Sequence, residues 1–137
     1  MLLSGIALLA PTQASLAINN VTLSRQDSTH KSDSISVADL KSLMKTNSQV
    51  QVIDARVTKD FDRTEVIPGA RRGDPTQVAQ WAGPLDKTKP VVIYCAHGHK
   101  VSQQVVDQLR QSGFTALRLT GGIEEWKEQK GATVTLK

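Results

Sequence analysis

Residues 91–100 read VVIYCAHGHK, and this short stretch contains the clearest indication of how the chain folds. The apolar run 91–94 is typical of a buried strand, and a helical pattern begins directly after the stretch. Cys95 is therefore expected in a turn between the end of a strand and the start of a helix. Unpaired N–H groups and the helix dipole favour negative charge there, as do the two histidines and the lysine that follow. The stretch predicts a reactive thiolate.

On both sides of this stretch, apolar residues alternate between strand-like and helix-like spacing. A Ser36 cap begins a helix with one apolar face, Asp74 followed by Pro75 begins another, and Gly113 ends a third. The pattern predicts strands at 50–53, 91–94 and 115–119, helices at 37–46, 75–81, 100–112 and 122–130, and a short polar helical stretch at 58–63. Alternation of this kind predicts an α/β fold with a mainly parallel central sheet flanked by helices on both faces. In such sheets function gathers at the carboxyl ends of the strands.

The composition fits one globular domain and narrows the range of partners. The chain has 137 residues, of which 39% are hydrophobic and 22% are charged, and it has one cysteine. Lys and Arg exceed Asp and Glu by 17 to 13, but the basic residues are scattered, so we expect no nucleic-acid partner. A mild positive excess suits a small anionic ligand instead. We expect a monomer with no intramolecular disulfide.

The first 34 residues differ in composition from the rest. Residues 1–17 contain no charged side chain and include an apolar run followed by small residues at cleavage spacing, so we predict a signal peptide. The run is interrupted by Pro11 and is too short for a membrane span. Residues 18–34 read as a linker with a short strand at 21–23, and the folded domain is expected at 35–137. A cleaved signal peptide would place the protein in the periplasm or otherwise outside the cytoplasm; the alternative is a cytoplasmic protein with an N-terminal extension.

Four separated blocks carry a resemblance to a known family. They are VIDAR at 52–56, IPGA at 67–70, VIYC at 92–95, and the closing block from Gly113-Phe114 to Trp126. In this order and spacing the chain resembles the rhodanese superfamily of sulfurtransferases over residues 35–135. The string C-x-H-G-H-x-x-S and the arginines after IPGA are most similar to single-domain rhodaneses associated with bacterial chromate-resistance proteins. Val66 departs from the pattern, because the family often has histidine there.

The resemblance implies a role for each residue of the loop. Cys95 would take a sulfane sulfur from thiosulfate or a similar small anion, form a persulfide, and pass the sulfur to cyanide or a thiol. The candidate substrate-binding residues are Ala96, His97, Gly98, His99, Lys100 and Val101, with Arg56 and Arg71 as possible contributors to a basic pocket. No cofactor and no metal are expected. For Asp54, a structural role at the strand end is the favoured interpretation.

Four alternatives remain open from the sequence. Related phosphatases have a loop one residue longer, with an arginine six positions after the cysteine, where this chain has Val101. Cys95, His97 and His99 are also residue types that bind zinc or copper. A binding or regulatory module without turnover would keep the same fold. Finally, Cys95 has a purely structural interpretation, as a small buried hydrophobe at a strand end.

Overall fold

A computed structural model describes residues 32–47 and 49–137. The predicted signal peptide, the predicted strand at 21–23 and most of the predicted linker lie outside the described residues. Within the described part of the chain, no helix is long and apolar enough to cross a bilayer.

The centre of the domain is a five-stranded sheet in which every strand pair is parallel. The strands are β1 Ser34–Ile35, β2 Gln51–Asp54, β3 Arg71–Arg72, β4 Val91–Tyr94 and β5 Ala116–Leu119. Their order across the sheet is β1-β5-β4-β2-β3, so β4 lies in the middle, and all four of its residues are buried. In the register, Asp54 lies opposite Tyr94, which brings the ends of β2 and β4 to the same edge. The predicted α/β fold is confirmed.

Helices cover both faces of the sheet, as the sequence predicted. They are α1 Val37–Thr46, α2 Val78–Ala82, α3 Lys100–Gln111 and α4 Gly122–Glu128. Successive side chains of a strand point to opposite faces, and β4 shows the result. Val91 and Ile93 pack in one core with residues of α2 and α3, whereas Val92 and Tyr94 pack in a second core with residues of α1 and α4.

Two predicted helical segments are shorter in the structure than the sequence suggested. The helix expected to begin at Asp74 begins only at Val78, because the Asp74 carboxylate accepts hydrogen bonds from the N–H and hydroxyl of Thr76 and forms a turn instead. The helical stretch expected at 58–63 is a single 3₁₀ turn, Thr58–Asp60. By contrast, α1 begins as predicted, with Ser36 Oγ accepting from the N–H of Asp39.

Candidate active site

Cys95 lies directly after β4, at the carboxyl edge of the sheet, and α3 begins five residues later. Its side chain is mostly buried, with 6% of the residue exposed. It borders a cavity of about 190 Å³. This cavity is lined by residues of the loop and by two residues of the segment after β2. The lining consists of Val57, Asp60, Cys95, Ala96, His97, His99, Lys100 and Val101. Five of the six predicted loop residues therefore line the cavity next to the sulfur. Gly98 does not belong to this lining.

The backbone carbonyl groups of the loop accept hydrogen bonds from residues that are distant in sequence or that belong to the following helix, α3. The five bonds are Ile123 N–H to Cys95 O at 2.9 Å, Glu124 N–H to Ala96 O at 3.1 Å, Arg118 Nη1 to Gly98 O at 2.9 Å, and both Ser102 Oγ, at 3.2 Å, and Gln103 N–H, at 3.1 Å, to His99 O. The first two donors belong to the first turn of α4, whose N–H groups have no partner within their own helix. A second helix therefore fixes the loop that precedes α3.

The backbone N–H groups of the loop are in the opposite situation. Among the described residues, none of the amides from Ala96 to His99 donates to a protein acceptor. Successive amides without a protein partner can bind an anion, as they do in other tight loops. The loop thus combines satisfied carbonyls with available donors, next to a sulfur atom.

Two glycines allow the loop to approach the start of α4 this closely. Gly98 has a φ of 74°, and a Cβ on it would lie 2.6 Å from the backbone nitrogen of Gly121 and the carbonyl oxygen of Leu119. Gly122 has a φ of 61°, and a Cβ there would collide with the carbonyl oxygen of Cys95. Both positions need glycine for two reasons, the left-handed backbone and the direct backbone contact.

Three residues near the sulfur were not predicted from the sequence as site residues. Val57 and Asp60 follow β2, the neighbour of β4, and the signal for them in the sequence was that the ends of adjacent parallel strands converge. Ser102 lies in the first turn of α3, and its Oγ is 3.4 Å from Cys95 Sγ. Ser102 was part of the motif quoted above, but only the folded turn shows that it contacts the sulfur.

Arg56 occupies a buried polar network rather than the cysteine cavity. It is 3% exposed and forms a two-point ion pair with Asp54, with Nε at 3.0 Å from Oδ1. Its guanidinium also donates to the carbonyls of Asp62 and Glu65. Burial alone lowers the pKa of Arg56, but the hydrogen bonds and charge of Asp54 outweigh it, so the pKa is raised. Arg56 therefore anchors the segment after β2 and carries no free charge to the cavity.

Tyr94 joins this network from β4. Its hydroxyl donates to Asp54 Oδ2 at 2.9 Å and accepts from the N–H of Ile67 at 3.2 Å. Burial and the adjacent Asp54 carboxylate both raise the pKa of Tyr94, which keeps the phenol protonated. Asp54 is thus fully engaged by two side chains, in agreement with the structural role favoured for it.

Arg71 also lies apart from the cysteine. It lines a different cavity, of about 330 Å³, together with residues 49–53, Gly69 and Lys89. The structure therefore does not bring the two predicted arginines to the sulfur. The reason is local: Arg56 is drawn inward by Asp54, and Arg71 belongs to edge strand β3.

The two loop histidines do not form a metal centre with other side chains in the described structure. Their ring centroids are 6.5 Å apart. Within residues 32–47 and 49–137, no group of three or more His, Cys, Asp or Glu side chains is arranged to hold a metal ion.

Cys95 lies at the end of the central strand of a parallel sheet, in a loop that the first turn of α4 holds. This places the chain among the α/β proteins whose functional residues gather at the carboxyl ends of their strands. Sequence comparison identifies the family within that class: the rhodanese-like domain family matches residues 36–129. The chain belongs to the rhodanese-like domain family.

Individual relatives agree with this assignment. The thiosulfate sulfurtransferase GlpE of Coxiella burnetii is 33% identical over 79 residues, which cover 57% of this chain and 72% of that protein. GlpE of Shewanella oneidensis is 32% identical over 95 residues, which cover 69% and 91%. The crystal structure of a rhodanese-related protein from Thermoplasma volcanium has a TM-score of 0.64 at 27% identity and covers 74% of this chain and 96% of that one. These similarities support a role in the sulfurtransferase family; the finer resemblance to rhodaneses associated with chromate resistance stays a prediction.

Proposed function

We propose that this protein is a sulfurtransferase that moves a sulfane sulfur from thiosulfate, or a similar small anion, to cyanide or a thiol through a persulfide on Cys95. The observation that carries the proposal is the position of Cys95 at a small cavity, beside available loop amides and the Lys100 side chain. Such a cavity suits an anion that must be brought into contact with a thiolate.

In the first step, the Cys95 thiolate attacks the outer sulfur of thiosulfate. A bond forms between Cys95 Sγ and that sulfur, the sulfur–sulfur bond of thiosulfate breaks, and sulfite leaves with the electron pair. Lys100 attracts the anionic donor to the cavity, and the loop amides stabilise the negative charge on the departing sulfite. Lys100 lines the same cavity as the Cys95 sulfur, which makes its ammonium group the main candidate for binding the anionic donor.

In the second step, the acceptor attacks the outer sulfur of the persulfide. With cyanide, a carbon–sulfur bond forms, the persulfide bond breaks, and thiocyanate leaves while Cys95 is restored as a thiolate. The same amides then stabilise the thiolate as the leaving group. No cofactor is required for this exchange, because each step is a displacement at the transferred sulfur, and the electron pair of the broken bond leaves with sulfite in the first step and with the Cys95 thiolate in the second.

The cavity offers less to a phosphate ester. Transfer of a phosphoryl group relies on guanidinium or metal contacts to the equatorial oxygens. No arginine lines the cavity in the described structure, and Val101 occupies the position where the related phosphatases have one. We therefore rank sulfur transfer above phosphoryl transfer.

The test is the formation of thiocyanate from thiosulfate and cyanide by the purified chain, with Cys95→Ser and Cys95→Ala as variants. We expect both variants to lose at least about a thousandfold in rate while their unfolding midpoints stay near that of the parent protein. Mass spectrometry after thiosulfate treatment should add one sulfur, ~32 Da, to Cys95.

Three outcomes would contradict the proposal. Undiminished thiocyanate formation by Cys95→Ser would exclude this nucleophile. Absence of the added sulfur would favour a binding module, and release of phosphate from an aryl phosphate that depends on Cys95 would favour a phosphatase.

A further inference from the structure

Ser102 is a buried hydroxyl with two possible partners, and one of them is the reacting sulfur. The residue is 0% exposed. Its Oγ lies 3.4 Å from Cys95 Sγ and 3.2 Å from the carbonyl oxygen of His99. In the described arrangement the thiol donates to Ser102, and Ser102 donates to His99.

This chain of hydrogen bonds depends on the proton of the cysteine. A hydroxyl carries one proton and can donate one hydrogen bond at a time. When Cys95 becomes a thiolate it can only accept, and in the persulfide, whose charge lies on the outer sulfur, the Cys95 sulfur likewise has no proton to donate. The Ser102 hydroxyl then faces two acceptors and no donor, and a charged acceptor forms the stronger bond.

We propose that Ser102 is a further catalytic residue, whose hydroxyl turns from the His99 carbonyl to the Cys95 sulfur when the sulfur becomes negative. This inference rests on the proposed function for its persulfide state, but the thiolate state can be tested without any transfer reaction. After the turn the His99 carbonyl keeps only its hydrogen bond from the Gln103 N–H, at 3.1 Å, and His99 lines the cavity. The charge on the Cys95 sulfur therefore affects the hydrogen bonding of His99, a residue that lines the cavity proposed to bind the sulfur donor.

Other groups also act on the sulfur, and they differ from Ser102 in one measurable respect. His97, His99 and Lys100 from the loop, and Asp60 from the segment after β2, all line the same cavity. Their charges act partly through solvent, so salt screens them. Ser102 is neutral and sealed from solvent, so its hydrogen bond should not depend on ionic strength.

The experiment measures the rate at which iodoacetamide alkylates Cys95 as a function of pH. Only the thiolate reacts, and Cys95 is the only cysteine in the chain. In Ser102→Ala we expect the midpoint of the pH profile to rise by about one pH unit, which lowers the rate about tenfold at any pH below both midpoints. The shift should be equal at low and high salt. Ser102→Thr keeps a hydroxyl and should restore the profile, and Ser112→Ala, at the exposed end of α3, should not move it.

Each result bears on the inference. An unmoved profile in Ser102→Ala, with only a lower unfolding midpoint, would show that the hydroxyl merely supports the loop and would overturn the proposal. A shift that disappears at high salt would assign the effect to the surrounding charges and would also overturn it. If Ser102→Thr does not fold, the salt-independent shift in Ser102→Ala decides alone. Because alkylation requires no sulfur transfer, a chain that makes no thiocyanate can still confirm the role of Ser102.

Discussion

The ends of β2 and β4 lie side by side at one edge of the sheet, yet they have opposite properties. At the end of β2, the carboxylate of Asp54 is bonded to Arg56 and Tyr94, and the remaining donors of Arg56 reach two backbone carbonyls. At the end of β4, Cys95 is followed by amides that, in the described structure, have no protein acceptor. At the end of β2, which we call the closed end, the polar groups bond to one another. At the end of β4, which we call the open end, amide donors remain available to a ligand.

The difference separates stability from function in neighbouring residues. Buried polar groups that satisfy one another hold a structure together, whereas donors left without a protein partner can act on something else. Charge alone does not distinguish the two ends, since both contain cations. The two ends differ in whether the cationic side chain is already paired with a carboxylate of the protein, as Arg56 is with Asp54.

The largest effect is expected from breaking the closed end. Asp54→Ala leaves the guanidinium of Arg56 buried without its carboxylate, which should reduce the free energy of unfolding by about 3–5 kcal/mol. The protein that remains folded should still form thiocyanate, because Asp54 does not line the cysteine cavity. Urea unfolding combined with activity per folded molecule measures both quantities.

Two control variants sharpen this result. Asp107→Ala removes an exposed carboxylate and should change the unfolding curve little. The double variant Asp54→Ala with Arg56→Met removes the buried charge as well and should recover part of the loss. A large loss of activity in Asp54→Ala without loss of stability would show that the two strand ends are not separate in function.

A smaller effect of the opposite kind is expected at the open end. Lys100→Gln should raise the KM for thiosulfate about tenfold with little change in kcat, because a charge that attracts the anion is removed. It should also raise the free energy of unfolding by about 0.3–1 kcal/mol, since a cation at the first residue of α3 opposes the helix dipole. Steady-state kinetics and urea unfolding test the two statements together.

The matched control for Lys100 is Lys45→Gln in the last turn of α1, where a cation favours the helix. It should leave the KM unchanged and slightly lower stability. If both lysine variants changed the KM equally, the effect would come from net charge and not from the position of Lys100.

The smallest effect is expected at three exposed turns in which an aspartate accepts from the N–H and hydroxyl of the threonine two residues later. These pairs are Asp62–Thr64, Asp74–Thr76 and Asp86–Thr88. The threonine hydrogen bonds lower the pKa of each aspartate, so their contribution to stability is present above the ordinary carboxyl pKa and is lost as pH falls through the lower folded value. In Thr76→Val the pKa of Asp74 in the folded protein moves back towards its ordinary value, so the unfolding midpoint should be slightly lower at neutral pH and should fall less on acidification than in the parent protein. Identical curves for both proteins would contradict this assignment.

Local patterns predicted the elements whose causes are local. The apolar run of β4 and the cap of α1 were sufficient, and the structure has both where the sequence placed them. The two-residue strands β1 and β3 were not predicted, because so short a strand is defined by its partner across the sheet and not by its own residues. The helix expected at Asp74 was displaced because an aspartate that can cap a helix can equally form a turn with a following threonine.

The site was predictable in its loop and not in its surroundings. The loop residues are consecutive, so one motif identified them together. Arg56 was considered for the pocket because it follows a neighbouring strand, but the direction of its side chain is fixed by Asp54, Asp62 and Glu65, which a linear pattern does not reveal. Ser102 was not predicted as a site residue although it contacts the sulfur, because only the first turn of α3 brings its hydroxyl there.

The hydrogen bonds from α4 to the carbonyls of Cys95 and Ala96 have a consequence for how the site forms while the chain is being synthesised. A growing chain that has emerged only as far as α3 already contains the cysteine, but it lacks both Arg118 and the helix start that fix the loop. We therefore expect the thiol to gain its full reactivity only when the residues that follow α3 have been synthesised and have packed against the loop. Until then the cysteine lies in a loop without the hydrogen bonds that Arg118 and α4 supply.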